Sequence, residues 1–185
     1  MRSFIAIEIE NQDVLNRISN LQSTLYDTGA NIKLVKPENV HITLKFLGDM
    51  DPFLIKKISN TLQTVRFKSF NATLSGVGVF PSIRRINVVW AGITEGASTF
   101  VTLHRQIELQ LQALSISPSR RGFKPHVTIA RVRSAHKINH LVQIVLALKD
   151  YDFGTFTVHS LKLKESVLTP QGPRYSTLVK INAIS

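Results

Sequence analysis

Apolar residues along the chain recur at two spacings, one typical of amphipathic helices and one typical of strands. Apolar residues three or four positions apart follow Asn11, and a second stripe of this kind follows the dipeptide Asp51-Pro52. Asn and Asp are favoured helix N-caps, and proline is favoured at the first helical position. The spacing therefore predicts one helix from Asn11 to Gly29, another that begins after Asp51, and two more at about 98–114 and 139–148.

Shorter apolar runs, rich in β-branched residues and bounded by turn residues, predict strands between these helices. They cover residues 3–9, 31–36, 41–47, 68–79, 86–93, the segment after Pro125, 155–168 and 174–182. The predicted order is βαββαββαβαββ. Because strands outnumber helices and short turns join several of them, we expect an α+β fold with mostly antiparallel sheets. No linker rich in Gly, Ser or Pro interrupts the chain, which predicts a single domain over residues 1–185.

The composition is that of an ordinary globular protein, with 43% apolar and 19% charged residues. The chain has no cysteine, so its chemistry uses no disulfide, thiolate nucleophile or cysteine metal ligand. This composition fits a reducing compartment, and we expect a cytoplasmic protein. Glu8 and Glu10 interrupt the first apolar run, and no segment is apolar enough to span a membrane. We therefore expect neither a signal peptide nor a membrane segment.

The chain is strongly basic, with 23 Lys and Arg against 12 Asp and Glu and a formal net charge of +11. A basic surface attracts polyanions, which favours nucleic acid or a nucleotide as the partner. The alternative is a basic surface with no such function. The charges are dispersed in pairs such as Lys33/Lys36 and Arg120/Arg121, so any binding surface is assembled by the fold.

A short motif occurs twice in this chain, as HITL at residues 41–44 and as HVTI at residues 126–129. Side chains alternate along a strand, so His41 shares a face with Thr43 and His126 shares a face with Thr128. Two imidazoles, each with a hydroxyl two residues on, suit acid–base chemistry on a phosphate ester, because imidazole exchanges protons near neutral pH. The alternative is a pair of half-exposed strand histidines beside threonines that favour strands.

Competing chemistries lack support in the sequence. The chain contains no His-Glu-x-x-His, no phosphate-binding Gly-x-x-x-x-Gly-Lys and no Gly-x-Ser-x-Gly motif. No set of three or four residues has metal-ligand spacing, so we expect neither a metal nor another cofactor. The other histidines, at positions 104, 136, 140 and 159, have no threonine two residues on and are not candidates for catalysis.

The segments around the two motifs resemble the signatures of the 2H (two-histidine) phosphoesterases. More narrowly, they resemble the RNA 2′,3′-cyclic phosphodiesterases, also called 2′–5′ RNA ligases. Residues 33–48 (KLVKPENVHITLKFLG) are similar to the first signature, and residues 123–131 (FKPHVTIAR) to the second. Residues 78–81, 89–93 and 165–175 fit the same family, so the resemblance covers essentially the whole chain.

This resemblance implies a two-lobed α+β fold with pseudo-twofold symmetry. Mostly antiparallel sheets would face each other across a water-filled cleft, with helices on the outer faces. Each lobe would supply one His-x-Thr strand, and one lobe would carry both chain ends.

The resemblance also implies a role for each residue of the two motifs. His41 is expected to be the proton donor and His126 the proton acceptor, although the residues alone are symmetric between these roles. The hydroxyls of Thr43 and Thr128 are expected to donate hydrogen bonds to the phosphate oxygens, where charge develops.

Two basic residues are further candidates for substrate binding. Arg131 matches a family arginine associated with phosphate or nucleotide contact. Regular alternation places it opposite His126, so this role requires a strand end or a bulge. Lys45 alternates onto the His41 face, where it either lines the cleft or is simply solvated.

The implied reaction is metal-independent hydrolysis of RNA 2′,3′-cyclic phosphate ends to 2′-phosphomonoesters. Its reverse joins such an end to a 5′-hydroxyl through a 2′–5′ linkage. The candidate substrates are tRNA fragments, other RNA ends and small cyclic nucleotides, and we expect a monomer. The alternative is a noncatalytic RNA- or nucleotide-binding protein that uses the same basic cleft.

Overall fold

A computed structural model describes residues 1–185, with nine β-strands, four α-helices and one short 3₁₀ helix. The strands are β1 (Arg2–Glu8), β2 (Ile32–Leu34), β3 (His41–Asp49), β4 (Phe70–Ser82), β5 (Arg85–Ile93), β6 (His126–Val132), β7 (Asp152–Val158), β8 (Ser160–Thr169) and β9 (Gly172–Asn182). The helices are α1 (Gln12–Asp27), α2 (Pro52–Leu62), α3 (Ala97–Gln112) and α4 (Ile138–Ala147), and the 3₁₀ helix covers Pro37–Asn39.

The helix starts that capping residues predicted are confirmed. Asn11 Oδ1 accepts a hydrogen bond of 3.0 Å from the backbone N–H of Val14, and Asp51 Oδ1 accepts one of 2.9 Å from that of Leu54. Each bond satisfies one of the N–H groups that a first helical turn leaves without a partner. The apolar stripes of α1 and α2 are buried, as their spacing predicted.

Eight strands form one path in the order β7-β4-β5-β6-β3-β1-β8-β9, and β2 pairs with β6 beside it. All pairings between these strands are antiparallel, which confirms the predicted α+β fold with mostly antiparallel sheets. The path has two halves of four strands, which we call the His126 half (β7, β4, β5, β6) and the His41 half (β3, β1, β8, β9). The His41 half contains β1 and β9 and therefore both chain ends, as the resemblance implied.

Each half of the sheet carries two helices. Helices α1 and α4 pack on the His126 half, and α2 and α3 pack on the His41 half. A cluster of 36 buried apolar residues includes members of both halves, so one hydrophobic core extends along the sheet. None of the four helices is long and apolar enough to cross a membrane.

The prediction of a single strand over residues 155–168 is wrong, because the chain changes halves at His159. Strand β7 pairs with β4 at the edge of the His126 half, whereas β8 pairs with β1 and β9 in the His41 half. The buried positions change phase at this point, from 156 and 158 to 161 and 163. That change of phase is the sequence signal of the break.

The sheet is curled, because β7 and β8 lie near opposite ends of the strand path and yet only His159 separates them. The outer edges of the two halves therefore converge at this point. The backbone N–H of Ala183 donates to His159 O at 2.7 Å, and that of Ile184 donates to Phe67 O at 2.9 Å. The result is a half-barrel whose concave face forms a cleft between the two halves.

A β-bulge follows each His-x-Thr motif. The register of β3 against β1 skips Leu44, and that of β6 against β5 skips Ile129. The carbonyl of Leu44 accepts a hydrogen bond of 2.9 Å from His104 Nδ1, and that of Ile129 accepts one of 3.0 Å from Gln22 Nε2. Helices α3 and α1 thus hold the two bulges in equivalent ways. An extra residue reverses the alternation of side chains beyond it.

The prediction that Lys45 lines the cleft and binds substrate is wrong, because the bulge at Leu44 turns this side chain to the opposite face of the sheet. The Lys45 side chain points away from the cleft and is only 2% exposed. Its Nζ donates to Glu108 Oε2 at 2.8 Å and to Ser117 O at 3.0 Å. Lys45 is therefore a structural residue that ties β3 to α3. Phe46 takes the place on the cleft face instead.

The buried pair of Lys45 and Glu108 predicts that stability depends strongly on this carboxylate. Glu108→Gln leaves the ammonium without a counter-charge, and an uncompensated buried charge costs about 3–5 kcal/mol of the free energy of unfolding. Lys45→Met in the same chain removes that charge, so we expect the double variant to recover most of the loss. Urea denaturation measures these changes. A loss below about 1 kcal/mol for Glu108→Gln, the range of exposed pairs, would contradict the prediction.

Candidate active site

The structure brings the two His-x-Thr motifs together at the junction of the halves. Strands β3 and β6 meet at a single registered pair, Ile42 with Val127, and both residues are fully buried. Because the strands are antiparallel, each histidine lies opposite the threonine of the other motif. All four polar side chains are half-buried on the concave face. The registers thus show an approximate twofold axis through this junction.

The same hydrogen bond orients each imidazole ring. His41 Nδ1 lies 2.6 Å from Asn39 O, and His126 Nδ1 lies 2.7 Å from Lys124 O. A carbonyl oxygen only accepts, so both Nδ1 atoms carry a proton and both Nε2 atoms are the titrating sites. His41 Nε2 lies 3.0 Å from Thr43 Oγ1.

Burial lowers the pKa of both His41 and His126 below the usual value, because it removes water from the charged imidazolium. The hydrogen bonds to Asn39 O and Lys124 O act in the opposite direction. Positive charge lowers both values further, from Arg131 at both rings and from Lys124 at His126. A bound anion opposes these positive charges and would raise the pKa of each ring that it approaches.

The bulge at Ile129 turns Arg131 to the cleft face. The predicted role of Arg131 in substrate binding required a strand end or a bulge of this kind. Its side chain is exposed. Its charge lowers the pKa of His41, His126 and Tyr175, so the guanidinium lies close to groups of both halves. A guanidinium in this place offers several donors to a phosphate or a nucleotide.

Aromatic side chains pack against both imidazoles, a feature that the two His-x-Thr motifs alone do not predict. The rings of Phe4 and Tyr175 lie 5.1 and 5.5 Å from the His41 ring, and Phe80 lies 5.0 Å from the His126 ring, between centroids. Tyr175 and Phe80 belong to segments that resemble the family, which was the available signal. Burial raises the pKa of Tyr175 above its usual value.

The other four histidines lie elsewhere. His104 supports the bulge in β3 from α3 and stacks on Phe123, with the ring centroids 4.2 Å apart. His136, His140 and His159 are exposed. No group of three or more His, Cys, Asp or Glu side chains is placed to hold a metal ion.

Comparison with known proteins identifies the family to which this geometry belongs. The family model for LigT-like phosphoesterases matches residues 7–90 and 93–175. The chain belongs to this family. Each matched range contains one His-x-Thr strand, in agreement with the approximate twofold axis, and the resemblance to 2H phosphoesterases is confirmed.

Similar proteins cover nearly the whole chain. The RNA 2′,3′-cyclic phosphodiesterase of Aeropyrum pernix is 36% identical over 172 residues, which are 93% of this chain and 98% of that protein. The protein of the same name from Methanothermobacter thermautotrophicus is 34% identical over 180 residues, 96% of each chain.

Solved structures of the same fold are also similar over nearly their full length. The protein TT0787 of Thermus thermophilus has a TM-score of 0.78 and 26% identity, over 98% of this chain and 97% of that chain. Escherichia coli LigT complexed with 3′-AMP has a TM-score of 0.81 and 23% identity, over 100% and 98%. The similarity to Escherichia coli LigT supports the fold of this chain and nothing beyond the fold.

The causes of the low histidine pKa values predict how each ring responds when a neighbouring charge is removed. In proton NMR titrations we expect Lys124→Gln to raise the pKa of His126 and to leave that of His41 nearly unchanged. Arg131→Gln should raise the pKa of both rings, because its charge acts on both. Equal shifts of the two rings in Lys124→Gln would contradict this geometry.

Proposed function

We propose that this protein hydrolyses RNA 2′,3′-cyclic phosphate ends and leaves 2′-phosphomonoesters. The observation that carries this proposal is a pair of imidazole Nε2 atoms, one from each half of the sheet, in one cleft with a threonine hydroxyl beside each. Membership of the LigT-like family and the names of the similar proteins support this substrate class. In this proposal residues 1–185 act as one catalytic domain with two halves.

The reaction needs a base on one side of the phosphorus and an acid on the other. His126 Nε2 takes a proton from water as the new P–O bond forms, and His41 Nε2 gives a proton to the ribose 3′-oxygen as its bond to phosphorus breaks. Atoms and charge balance with no cofactor. Each positioned proton transfer of this kind typically contributes about 10²–10⁴-fold to the rate.

The assignment of donor and acceptor follows the family, since the two motifs are nearly symmetric. The two rings differ in one contact, since His41 Nε2 has Thr43 Oγ1 as a partner at 3.0 Å. The corresponding atom of His126 makes no such bond to its threonine.

The remaining site residues stabilise the phosphate in this proposal. The hydroxyls of Thr43 and Thr128 donate to its non-bridging oxygens, where negative charge develops. Arg131 supplies a positive charge that acts on both histidines and therefore lies near the phosphate between them.

The same groups would join two RNA ends when a different nucleophile attacks the cyclic phosphate and the 3′-oxygen again leaves with a proton from His41. A 5′-hydroxyl takes the place of water at His126, and the product is a 2′–5′ linkage. In dilute water, mass action favours hydrolysis. Ligation is therefore a secondary activity of the same site.

A noncatalytic RNA- or nucleotide-binding protein is the second candidate, favoured by the net charge of +11. Exposed Arg120 and Arg121 precede the second motif and would contact an RNA strand in either case.

RNA ends of tRNA fragments and small nucleotides remain the candidate partners. The cytoplasmic location and the monomeric state remain predictions.

Turnover separates these two functions. The protein is incubated with an RNA oligonucleotide that ends in a 2′,3′-cyclic phosphate, and the 2′- and 3′-phosphate products are resolved by chromatography. We expect the 2′-phosphate as the product. Binding without conversion would favour the noncatalytic function, and a 3′-phosphate product would contradict the proposed direction of ring opening.

Replacement of either motif histidine should remove most of the activity. We expect His41→Ala and His126→Ala each to lower kcat/KM by about a hundredfold or more, the usual effect of losing a positioned acid or base. His159→Ala is the matched control, because this histidine is exposed and outside the cleft. Circular dichroism and thermal unfolding check that each variant is folded. A folded motif variant that keeps more than about a tenth of the activity would contradict the two-histidine mechanism.

A further inference from the structure

An open cavity of about 440 Å³ lies beside His126 in the His126 half. Trp90 and Gly92 of β5, and Lys124 and Pro125 just before His126, form its inner wall. Its volume lies within the range of about 300–1,000 Å³ that is usual for small-molecule sites. The cavity therefore has room for one nucleotide next to the catalytic histidine.

In the His41 half, the strand position equivalent to Gly92 carries a charged side chain. Gly92 pairs with His126 in one half, and Glu8 pairs with His41 in the other. Glu8 is partly buried there and forms ion pairs with Lys162 and with the buried Lys164. The approximate symmetry thus breaks at this strand position, which is a glycine in the His126 half and a carboxylate within a cluster of charges in the His41 half.

Two glycines of β4 allow Trp90 and the loop that carries Lys149 to lie close to this strand. A Cβ on Gly78 would come within 2.2 Å of the indole, so the ring lies flat against the backbone of β4. Gly76 has φ +80°, and a Cβ there would come within 2.9 Å of Lys149 O. This close approach brings the loop that carries Lys149 onto β4, at the rim of the cavity.

The lining is suited to a nucleotide that carries a phosphate. Lys124 and Lys149 line the cavity and no carboxylate does. Ala97, the first residue of the 16-residue helix α3, also lines it, and no side chain caps that helix end. Lys124 Nζ lies 4.3 Å from the centre of the Trp90 ring, so one cation and one aromatic surface meet beside His126.

We propose that this cavity binds the nucleotide that precedes the cyclic phosphate end of the substrate strand. Lys149 and Lys124 contact the phosphodiester that links the last two nucleotides, and the ribose and base lie against the Trp90 wall. This inference rests on the proposed function, because it assumes that the cyclic phosphate lies between the two histidines.

Lys149 is the best position for a test, because Lys124 also acts on the pKa of His126. The test compares kcat/KM for a dinucleotide with a 2′,3′-cyclic end and for a cyclic mononucleotide. We expect the wild type to prefer the dinucleotide. In Lys149→Glu the dinucleotide-to-mononucleotide ratio should fall about five- to tenfold, because a phosphate contact becomes a repulsion.

Two controls make this result specific. Lys56→Glu makes the same change of charge at an exposed position of α2, on the other half, and should leave the ratio unchanged. A dinucleotide with an uncharged methylphosphonate link should show no difference between wild type and Lys149→Glu. The proposal is wrong if the wild type does not prefer the dinucleotide, or if both charge variants change the ratio equally.

Fluorescence of the single tryptophan, Trp90, gives a readout that does not need turnover. The 2′-phosphorylated dinucleotide should change this fluorescence and should bind more weakly to Lys149→Glu than to Lys56→Glu. If neither cyclic substrate is hydrolysed, the proposed function fails, while this titration still tests the cavity. Equal affinities of the two variants for the dinucleotide would overturn the proposal.

Discussion

Strands β3 and β6 join the two halves of the sheet at one registered pair, Ile42 with Val127, and the geometry of the cleft depends on that pair. Both side chains are fully buried between the sheet and its helices, so the register cannot slip without moving apolar residues into water. Because the pair is antiparallel, it sets each histidine opposite the threonine of the other motif. A phosphate between the strands therefore meets an imidazole and a hydroxyl from each half.

The two bulges decide which side chains after each motif face the candidate active site. Each bulge reverses the alternation of side chains after its motif. Lys45 therefore lies in the core, and Arg131 lies on the cleft face. The carbonyls of the two bulges are bonded by His104 and Gln22, buried polar residues of the outer helices. Burial lowers the pKa of both catalytic candidates, and the anion that they are proposed to bind would restore the proton to the acid. Substrate binding and protonation are therefore coupled.

Local sequence patterns predicted most elements and the candidate motifs, because side-chain period and capping are encoded locally. Lys45 was misplaced because strict alternation ignores a bulge, and nothing next to Leu44 in the sequence shows that His104 bonds its carbonyl. The change of halves at His159 was missed, although the buried positions change phase there. The aromatic residues around the imidazoles and the cavity beside Trp90 arise from the register between strands, which a single sequence does not reveal.

In the proposed mechanism one histidine from each half acts on the same transition state. The most direct test is a double-mutant cycle, in which kcat/KM for a 2′,3′-cyclic nucleotide is measured for His41→Ala, His126→Ala and the double variant. Groups that act as a unit are strongly non-additive. The double variant should be about as slow as the slower single variant. Losses that multiply, so that the double variant falls by the product of the two single effects, would contradict this mechanism.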